Sequence, residues 1–411
     1  MKILVIAPQP FFQERGTPIA VKMAVEALAK KFSPTTNPRA HIDLIVYKEG
    51  EPIEIPGVTI RRVNYPRWLQ GIRPGISWKK LLCDFLLMIF TFKLLWRSRR
   101  KQYDIIHAVE ESAFIAWLGK KIFKIPYIYD MDSSLALQLT ERWWWCRPIL
   151  SILQYLEGVA IRGSLAVAPV CDALHVIATS HGSRSNVLLR DISLLPNSSD
   201  ESLTRKEIFG DDVKPTDTLI LYVGNLESYQ GIELLLQAFA SICKSHPDAQ
   251  LIIVGGTPES IAAYTSRYAF SPAMMQTRFL GPRPIHTLAE LLKNADILVS
   301  PRTKGNNTPM KIYSYLHSGT AVLATDLPTH TQVLTDEIAV LAAPTPTDFG
   351  AGLKRLLENP DLRQQVGSAA RSLAEKLYTK DAFEGQLSSL YDIVQQQLRS
   401  TETPTLAVEN Q

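Results

Sequence analysis

The chain alternates short apolar runs rich in β-branched residues with longer stretches whose apolar residues recur at helical spacing. Runs such as Lys2–Ala7 and His41–Tyr47 precede amphipathic stretches, and the same alternation restarts at Thr218–Asn225. Short apolar runs between periodic helices are typical of parallel strands joined by crossover helices. The pattern predicts an α/β fold of two Rossmann-like doubly wound domains facing each other across a cleft. Ligands of open α/β sheets bind at the carboxyl ends of strands, so this cleft is the predicted site.

The length of 411 residues supports the same division, because one hydrophobic core rarely serves more than about 250–300 residues. We assign residues 1–196 to an N-terminal domain and residues 217–380 to a C-terminal domain. The interval 197–216, rich in Ser, Asp, Lys and Thr, is the predicted linker. Residues 381–399 are expected to form a terminal helix that can pack back on the N-terminal domain, and residues 400–411 a loose tail.

Composition and charge exclude several classes of protein. Apolar residues make up 46% of the chain and charged residues 20%, which argues against disorder and against a coiled coil. The net charge of +4 is too small for a general nucleic-acid binder. The four cysteines are scattered and form no C-x-x-C pair, which argues against zinc and indicates a reducing compartment. The apolar run before Pro8 is too short for a signal peptide, so we expect a cytoplasmic protein.

The segment 79–101 combines a wide apolar helical face with seven basic residues and the single acid Asp84. The 16 residues Leu81–Trp96 are interrupted by Asp84 and Lys93, whereas a membrane span needs about 20 apolar residues. A basic amphipathic helix is typical of proteins that lie on an anionic leaflet, which predicts a peripheral position on the inner face of the plasma membrane. The alternative is a core helix whose charged ends face solvent. A second membrane candidate is Trp143–Trp145.

Several glycine-containing turns follow predicted strands and suit the binding of a phosphate. Gly16 comes after the first strand and opens a helix, where a glycine lets the backbone approach a ligand and the helix N-terminus favours an anion. A glycine required by the turn geometry alone is the alternative at this position. The turns Gly224–Gly231 and Gly281–Arg283 follow later strands in the same relation. All three turns therefore point to the carboxyl edges of the two sheets.

The segment Ser300–Lys311 carries the strongest phosphate-binding signal. It joins a predicted strand to a helix, with Thr308 as the expected N-cap and Pro309 as the first helical residue. The segment also contains three basic residues, Arg302, Lys304 and Lys311. A diphosphate would find both backbone donors and compensating charge there, without a metal. A solvated basic loop is the alternative.

Five stretches of the chain match a known family in their order and spacing. They are Arg15–Thr17, Tyr222–Gly231, Phe279–Gly281, Ala295–Pro301 and Ser318–Asp326. Together they resemble glycosyltransferase family 4, whose members are retaining enzymes of the two-domain GT-B fold, and the resemblance covers most of the chain. It implies a nucleoside-diphosphate sugar as co-substrate, held mainly by the C-terminal domain, with no further cofactor. The acceptor, a lipid-linked molecule or an envelope-glycan precursor, would be held by the N-terminal domain.

The chain departs from the family pattern in the predicted donor site. Family members usually carry two glutamates at the positions of Asn306 and Ser314; the first contacts the donor sugar and the second the nucleoside ribose. The usual Arg and Lys of the turn after Gly224 are replaced by Asn225 and Gln230, and we expect Lys311 above all to restore the lost charge. The donor-binding candidates are Gly16, Asn225, Gln230, Arg283, Arg302, Asn306, Asn307, Thr308, Met310, Lys311 and Ser314.

The N-terminal domain offers fewer candidates. The histidine that family members often carry after the fourth or fifth strand corresponds to Asp132, which is therefore the candidate catalytic residue. It would orient the acceptor or stabilise positive charge at the anomeric carbon, and capping of a helix by Asp132 with Ser133 is the alternative. His107 and Glu110 come at and just after another predicted strand and are candidates for the acceptor side. A structural histidine with satisfied ring nitrogens is the alternative for His107.

Two other functions stay open from the sequence. A sugar-nucleotide epimerase of the same fold also needs no metal, but it does not need a basic apolar helix. A catalytically silent, membrane-associated scaffold is conceivable because both family carboxylates are absent. We predict no metal site, since the Asp-x-Asp at Asp130–Asp132 belongs to the other domain from the predicted phosphate loop.

Overall fold

The computed structural model describes residues 1–14, 16–32, 40–72, 77–97, 103–196 and 203–402. The chain divides into two compact units, an N-terminal unit of Met1–Arg190 with Phe383–Gln411 and a C-terminal unit of Asp191–Ala382. Each unit contains a six-stranded, fully parallel sheet flanked by helices. The predicted α/β class and the two doubly wound sheets are confirmed.

The sheet of the N-terminal unit has the strand order β3-β2-β1-β4-β5-β6. Its strands are β1 (Lys2–Ile6), β2 (His41–Tyr47), β3 (Val58–Val63), β4 (Ile105–Val109), β5 (Tyr127–Met131) and β6 (Ala166–Pro169). The helices of this part of the chain are α1 (Gly16–Lys31), α2 (Trp78–Arg97), α3 (Ser112–Phe123), α4 (Leu135–Arg142), α5 (Leu150–Gly163) and α6 (Asp172–Ser180). Because all strands are parallel, their carboxyl ends lie at one edge of the sheet.

Four of these helices cover the same face of the sheet. Alternate strand residues point to opposite faces, and those of one face, such as Leu4, Ile106 and Tyr129, share a core with the buried sides of α2, α3, α5 and α6. Helix α3 packs against both α2 and α5. We call α2, α3, α5 and α6 the α2 layer.

The sheet of the C-terminal unit has the order β12-β11-β10-β7-β8-β9. Its strands are β7 (Thr218–Val223), β8 (Ala249–Val254), β9 (Thr277–Gly281), β10 (Ile297–Ser300), β11 (Ala321–Thr325) and β12 (Val340–Ala342). The helices are α7 (Arg205–Phe209), α8 (Ile232–Ile242), α9 (Pro258–Arg267), α10 (Leu288–Lys293), α11 (Lys311–Ser318), α12 (Pro328–Thr331), α13 (Pro346–Glu358) and α14 (Pro360–Leu377). Strands β7 and β10, which carry the two predicted phosphate-binding loops, are neighbours.

The structure differs from the predicted linker at 197–216. Residues 203–216 belong to the C-terminal unit and include α7, which begins with a capping box formed by Thr204 and Glu207. Phe209 at the end of α7 is buried in the core of this unit, and Arg205 pairs with Asp296 at 2.8 Å. One buried aromatic side chain and one ion pair fix a segment whose composition is otherwise that of a linker. Residues 197–202 lie outside the described part of the chain.

The last described helix, α15 (Lys380–Glu402), continues beyond the predicted end at residue 399. The Nζ atom of Lys31 in α1 lies 2.7 Å from Oδ1 of Asp392, and the Nζ atom of Lys30 lies 2.6 Å from Oε2 of Glu384. Tyr391 is buried and contacts Phe32 and His107. These contacts attach most of α15 to the N-terminal unit, while residues 403–411 of the predicted tail lie outside the described residues.

Candidate functional site

The loops after β7, β8 and β10 approach one another closely at the carboxyl edge of the C-terminal sheet. Gly231 has a φ of +76°, and a Cβ atom there would lie 1.9 Å from the carbonyl oxygen of Pro301. Gly255 has a φ of +114°, and its Cβ would lie 2.0 Å from the oxygen of Gly224. Both positions therefore require glycine, for conformation and for space. The backbone N–H of Thr303 donates to the oxygen of Tyr229 at 2.9 Å, which joins the two phosphate-loop candidates.

Lys311 places its ammonium group in the middle of these loops. The Nζ atom is buried, lies 3.9 Å from the ring centroid of Tyr222, and has no hydrogen-bond partner among the described residues. It lies 3.4 Å from where a Cβ of Gly224 would be. Burial, together with the positive charge of Arg302, lowers the pKa of the Lys311 amine well below its ordinary value. A buried amine without an anionic partner is unfavourable in its charged form, so this group favours the binding of an anion.

Arg302 closes the loop between β10 and α11. Its Nε donates to the oxygen of Lys304 at 2.8 Å and its Nη1 to the oxygen of Asn307 at 3.0 Å. The guanidinium also lies over the ring of Tyr229, 5.1 Å from its centroid. Arg302 therefore shapes the loop through backbone carbonyls while keeping its positive charge near Lys311.

His330 binds residues at the ends of β10 and β11, next to the same loop, and was not among the sequence candidates. Its Nδ1–H donates to the oxygen of Thr325 at 2.9 Å, since a carbonyl only accepts, and its Nε2 accepts from the hydroxyl of Ser300 at 2.9 Å. The neighbouring Thr329 donates to the oxygen of Asn307 at 2.6 Å. Burial lowers the pKa of His330 to about 3, so the ring is neutral at physiological pH. No sequence signal marks it, because its partners come from two other segments, at Ser300 of β10 and Thr325 of β11.

The start of α11 differs from the prediction. The helix begins at Lys311 with Met310 in the N-cap position, whereas Thr308 and Pro309 precede it. Thr308 is buried, and its Oγ1 has no hydrogen-bond partner among the described residues. The expected cap at Thr308 was therefore wrong, because the loop stays irregular for two more residues. Thr308 instead adds to this loop a second buried polar atom that lacks a partner among the described residues.

The two positions of the family glutamates have other partners here. Ser314 is fully buried, and its Oγ accepts from the backbone N–H of Leu194 at 3.0 Å. Asn306 is exposed, and its backbone oxygen accepts from the side chain of Gln332 at 2.6 Å. The hydroxyl of Ser314 thus fixes the segment that enters the C-terminal unit.

The remaining donor candidates divide into loop-shaping and exposed residues. The side chain of Asn225 accepts from the N–H of Glu227 at 3.2 Å, while its backbone oxygen accepts from Tyr222 at 2.6 Å. Gln230 is buried, and its Oε1 accepts from the same tyrosine hydroxyl at 3.4 Å. Arg283 is exposed in the turn after β9. The neutral residues at 225 and 230 therefore hold the loop, and of the cations it is Lys311 that lies buried inside it.

Two of the N-terminal candidates belong to one strand, with His107 in the middle of β4 and Glu110 directly after its carboxyl end. His107 is buried within β4; its Nε2 lies 3.1 Å from Asp130 and its Nδ1 3.0 Å from the hydroxyl of Tyr391. Both ring nitrogens are occupied, which is the structural arrangement given as the alternative for this residue. Glu110 follows β4 with a φ of +51°, unusual for a residue with a side chain. Burial raises the pKa of its carboxyl group, although the nearby Lys80 opposes this effect.

Asp132 directly follows β5 and is partly exposed. The N-cap of the next helix, α4, is Ser134, rather than Asp132 or Ser133. Gly16 is the first residue of α1, and a Cβ there would meet nothing within 4 Å. The space beside Gly16 is thus open within the N-terminal unit. Arg15, its neighbour in the family motif, lies outside the described residues.

Two classes of site are not found in the described ranges. There, no three His, Cys, Asp or Glu side chains are placed to hold a metal ion together. Over the same ranges, no helix has both the length and the apolar character needed to cross a bilayer.

Known proteins resemble this chain in sequence and in structure. The family model described as Glycosyl transferases group 1 matches residues 204–373, which contain the loops around Lys311. Phosphatidyl-myo-inositol mannosyltransferase of Mycobacterium tuberculosis is 31% identical over 301 residues, which covers 71% of this chain and 74% of the relative. Sucrose-phosphate synthase from Thermosynechococcus elongatus has a TM-score of 0.75 at 19% identity, covering 97% of this chain and 99% of that one. Anabaena HepE in complex with UDP has a TM-score of 0.71 at 15% identity, covering 95% and 100%.

Proposed function

Because the chain belongs to the glycosyl transferases of group 1, we propose that it moves a sugar from a nucleoside-diphosphate sugar to a lipid-linked or envelope-glycan acceptor. Its α/β units are those of the GT-B fold. Within the group we assign it to family 4, with retention of the anomeric configuration and without a metal. The donor is held by the C-terminal unit and is the only co-substrate.

The observation that carries this proposal is the buried, unpartnered ammonium group of Lys311. Its Nζ and the Oγ1 of Thr308 are both inaccessible and lack hydrogen-bond partners among the described residues. Leaving buried polar atoms unpaired costs about 1–3 kcal/mol each, and more for a charged group. A diphosphate bound here would pair with both atoms and restore the charge of the amine. The UDP bound to HepE supports this choice of ligand class.

The proposed reaction needs positive charge where the diphosphate departs. The bond between the anomeric carbon and the diphosphate oxygen breaks, the acceptor oxygen bonds to the same face, and its proton passes to the departing diphosphate. In this proposal Lys311, with Arg302 and Lys304 of the same loop, stabilises the negative charge that develops. Fixed charges of this kind usually supply the largest share of rate enhancement.

The acceptor is assigned to the N-terminal unit. Asp132 and Glu110 lie beyond the carboxyl ends of β5 and β4, where ligands of parallel sheets bind. Asp132 would orient the acceptor or stabilise positive charge at the anomeric carbon. The mycobacterial relative is named a phosphatidyl-myo-inositol mannosyltransferase, and this name supports an acceptor with a lipid tail.

We also propose that α2 holds the protein on an anionic membrane surface, at the cytoplasmic face of the plasma membrane. Trp78, Leu81, Phe85 and Trp96 lie on its exposed side, whereas Cys83, Leu87 and Leu95 face the core. Phe92 contacts Phe123 of α3 and is only partly exposed. The apolar face of α2 is therefore divided between the core and solvent, and the exposed part is the part offered to the membrane.

The test combines donor binding with product analysis. Purified protein is mixed with a panel of nucleoside-diphosphate sugars and phosphatidylinositol vesicles in excess chelator, and the anomer of the product is determined from its proton coupling. Transfer with retention is the expected result. Activity that returns only with magnesium or manganese would refute the metal-free reaction, and an inverted anomer would refute family 4. A nucleotide sugar that is epimerised without transfer, or bound without turnover, would identify an epimerase or a scaffold instead.

A further inference from the structure

The exposed apolar side chains of the N-terminal unit are confined to one side of it. Among its described residues, every exposed large apolar side chain belongs to the α2 layer or to a segment leading into that layer. The helices of the layer share one face of the sheet, so their exposed sides point away from the sheet. The exposed residues outside α2 are Trp68, Ile122, Trp145, Ile149, Ile152, Tyr155, Leu156 and Val176.

Helix α5 has an apolar stripe of its own. Ile149, Ile152 and Leu156 recur at helical spacing, and Ile152 and Leu156 are 59% and 45% exposed. The opposite side of α5 is buried and includes Glu157 and Ile161, of which Ile161 belongs to the core. A helix that presents large aliphatic side chains both to its core and to solvent has a second apolar surface to cover.

The exposed charges of α2, α3 and the start of α5 have one sign, whereas α6 carries the half-exposed carboxylate of Asp172, which pairs with Arg190. The exposed charged residues in these places are all basic. They are Lys93 and Arg97 of α2, Lys121 of α3, Lys124 directly after α3, and Arg147 in the turn before α5. Over the described part of α2, α3 and α5, no acidic side chain is exposed: Asp84 is partly buried and pairs with Lys80, and Glu157 is buried. Basic residues around aliphatic and indole side chains complement the headgroups and the acyl boundary of an anionic bilayer.

We infer that α5 is a second membrane-binding helix, so that the outer side of the α2 layer lies flat on an anionic bilayer. The inference rests on the membrane position proposed above for α2 and extends it to a separate element. Helix α3 packs against both α2 and α5, so the two helices that carry apolar stripes share a common neighbour in the layer. Two helices in contact with the bilayer fix the orientation of the unit, whereas one helix leaves it able to rotate about the helix axis.

Vesicle binding by matched variants tests the inference. The double variant Ile152→Ser/Leu156→Ser removes the α5 stripe, Leu81→Ser/Phe85→Ser removes part of the α2 stripe, and Phe270→Ser/Met275→Ser is the control. Phe270 and Met275 are fully exposed side chains of the C-terminal unit. We expect the α5 variant to lower the partition coefficient on phosphatidylglycerol vesicles roughly tenfold or more, with the control unchanged.

Equal vesicle binding by wild type and the α5 variant would overturn the inference. If only the α2 variant lost vesicle binding, the inference about α5 would be overturned while the proposed function stayed intact. If the α5 variant loses its cooperative thermal transition, a fluorophore attached at Ile152→Cys in a chain that also carries Cys146→Ser replaces it, because Cys146 is a free and partly exposed thiol. A blue shift on vesicles, absent for a fluorophore at Met275→Cys, supports the inference, and no shift overturns it. A wild-type dimer that the α5 variant converts to a monomer, with vesicle binding unchanged, would identify a contact between copies and would also overturn it.

Discussion

Binding of a nucleoside diphosphate should be coupled to the uptake of a proton by Lys311. In the unliganded protein, burial lowers the pKa of this amine well below its ordinary value. A diphosphate beside the Nζ atom favours the charged form and raises the pKa again. In the pH interval between these two values the free amine is neutral and the bound amine is charged. Binding there takes up close to one proton, and the dissociation constant rises about tenfold for each unit of increasing pH.

Calorimetry measures this coupling directly. Titrations at a series of pH values above the last ionisation of the phosphate are repeated in buffers of different ionisation enthalpy, and at each pH the slope gives the number of protons bound. We expect a slope close to one proton for wild type and none for Lys311→Met. A charge-assisted hydrogen bond is worth about 1.5–3 kcal/mol, so this variant should bind roughly 10- to 150-fold more weakly.

Lys304→Met is the matched control, because Lys304 lies in the same loop but is exposed. It should keep the proton uptake and lose less affinity than Lys311→Met. If wild type and Lys311→Met showed the same buffer dependence and the same affinity, the amine would not contact the diphosphate, and the assignment of the donor site would be refuted.

Three further predictions concern the loops and the acceptor side. Gly231→Ala should lower the free energy of unfolding by more than about 2 kcal/mol in urea denaturation, because Gly231 has a positive φ and lies against Pro301. Gly16→Ala is the control and should change the free energy of unfolding by less than about 1 kcal/mol, because the space around Gly16 is open. His330 stays neutral in the folded protein down to about pH 3 but becomes charged in the unfolded chain below about 6.5, so it destabilises the fold as pH falls through that window. The free energy of unfolding of wild type relative to His330→Asn should fall by up to about 1.4 kcal/mol per pH unit there, and parallel pH profiles would contradict this. Asp132→Asn should lower kcat while leaving the dissociation constant of the donor unchanged, and an equal loss in both would place Asp132 in donor binding.

The local pattern of the sequence was sufficient to predict the two sheets. Strands such as Ile297–Ser300 are buried throughout because parallel strands are covered on both faces, and the apolar run that indicates this lies within a few consecutive residues. The glycine turns after β7 and β9 were predicted for the same reason, since a left-handed φ such as that of Gly231 is a local requirement. The family resemblance added the expectation of a donor site in the C-terminal unit.

The burial of polar groups was decided by tertiary structure. Lys311 was expected to carry charge, but its position against Tyr222 depends on a strand about 90 residues earlier in the chain. His330 became a support of the loop through partners on β10 and β11, and Ser314 through the backbone of Leu194. In the same way, one buried side chain, Phe209, made part of the predicted linker an element of the core. Spacing along the chain shows which side a residue can face, whereas the pKa and the partners of a buried group depend on segments far away in sequence that surround it.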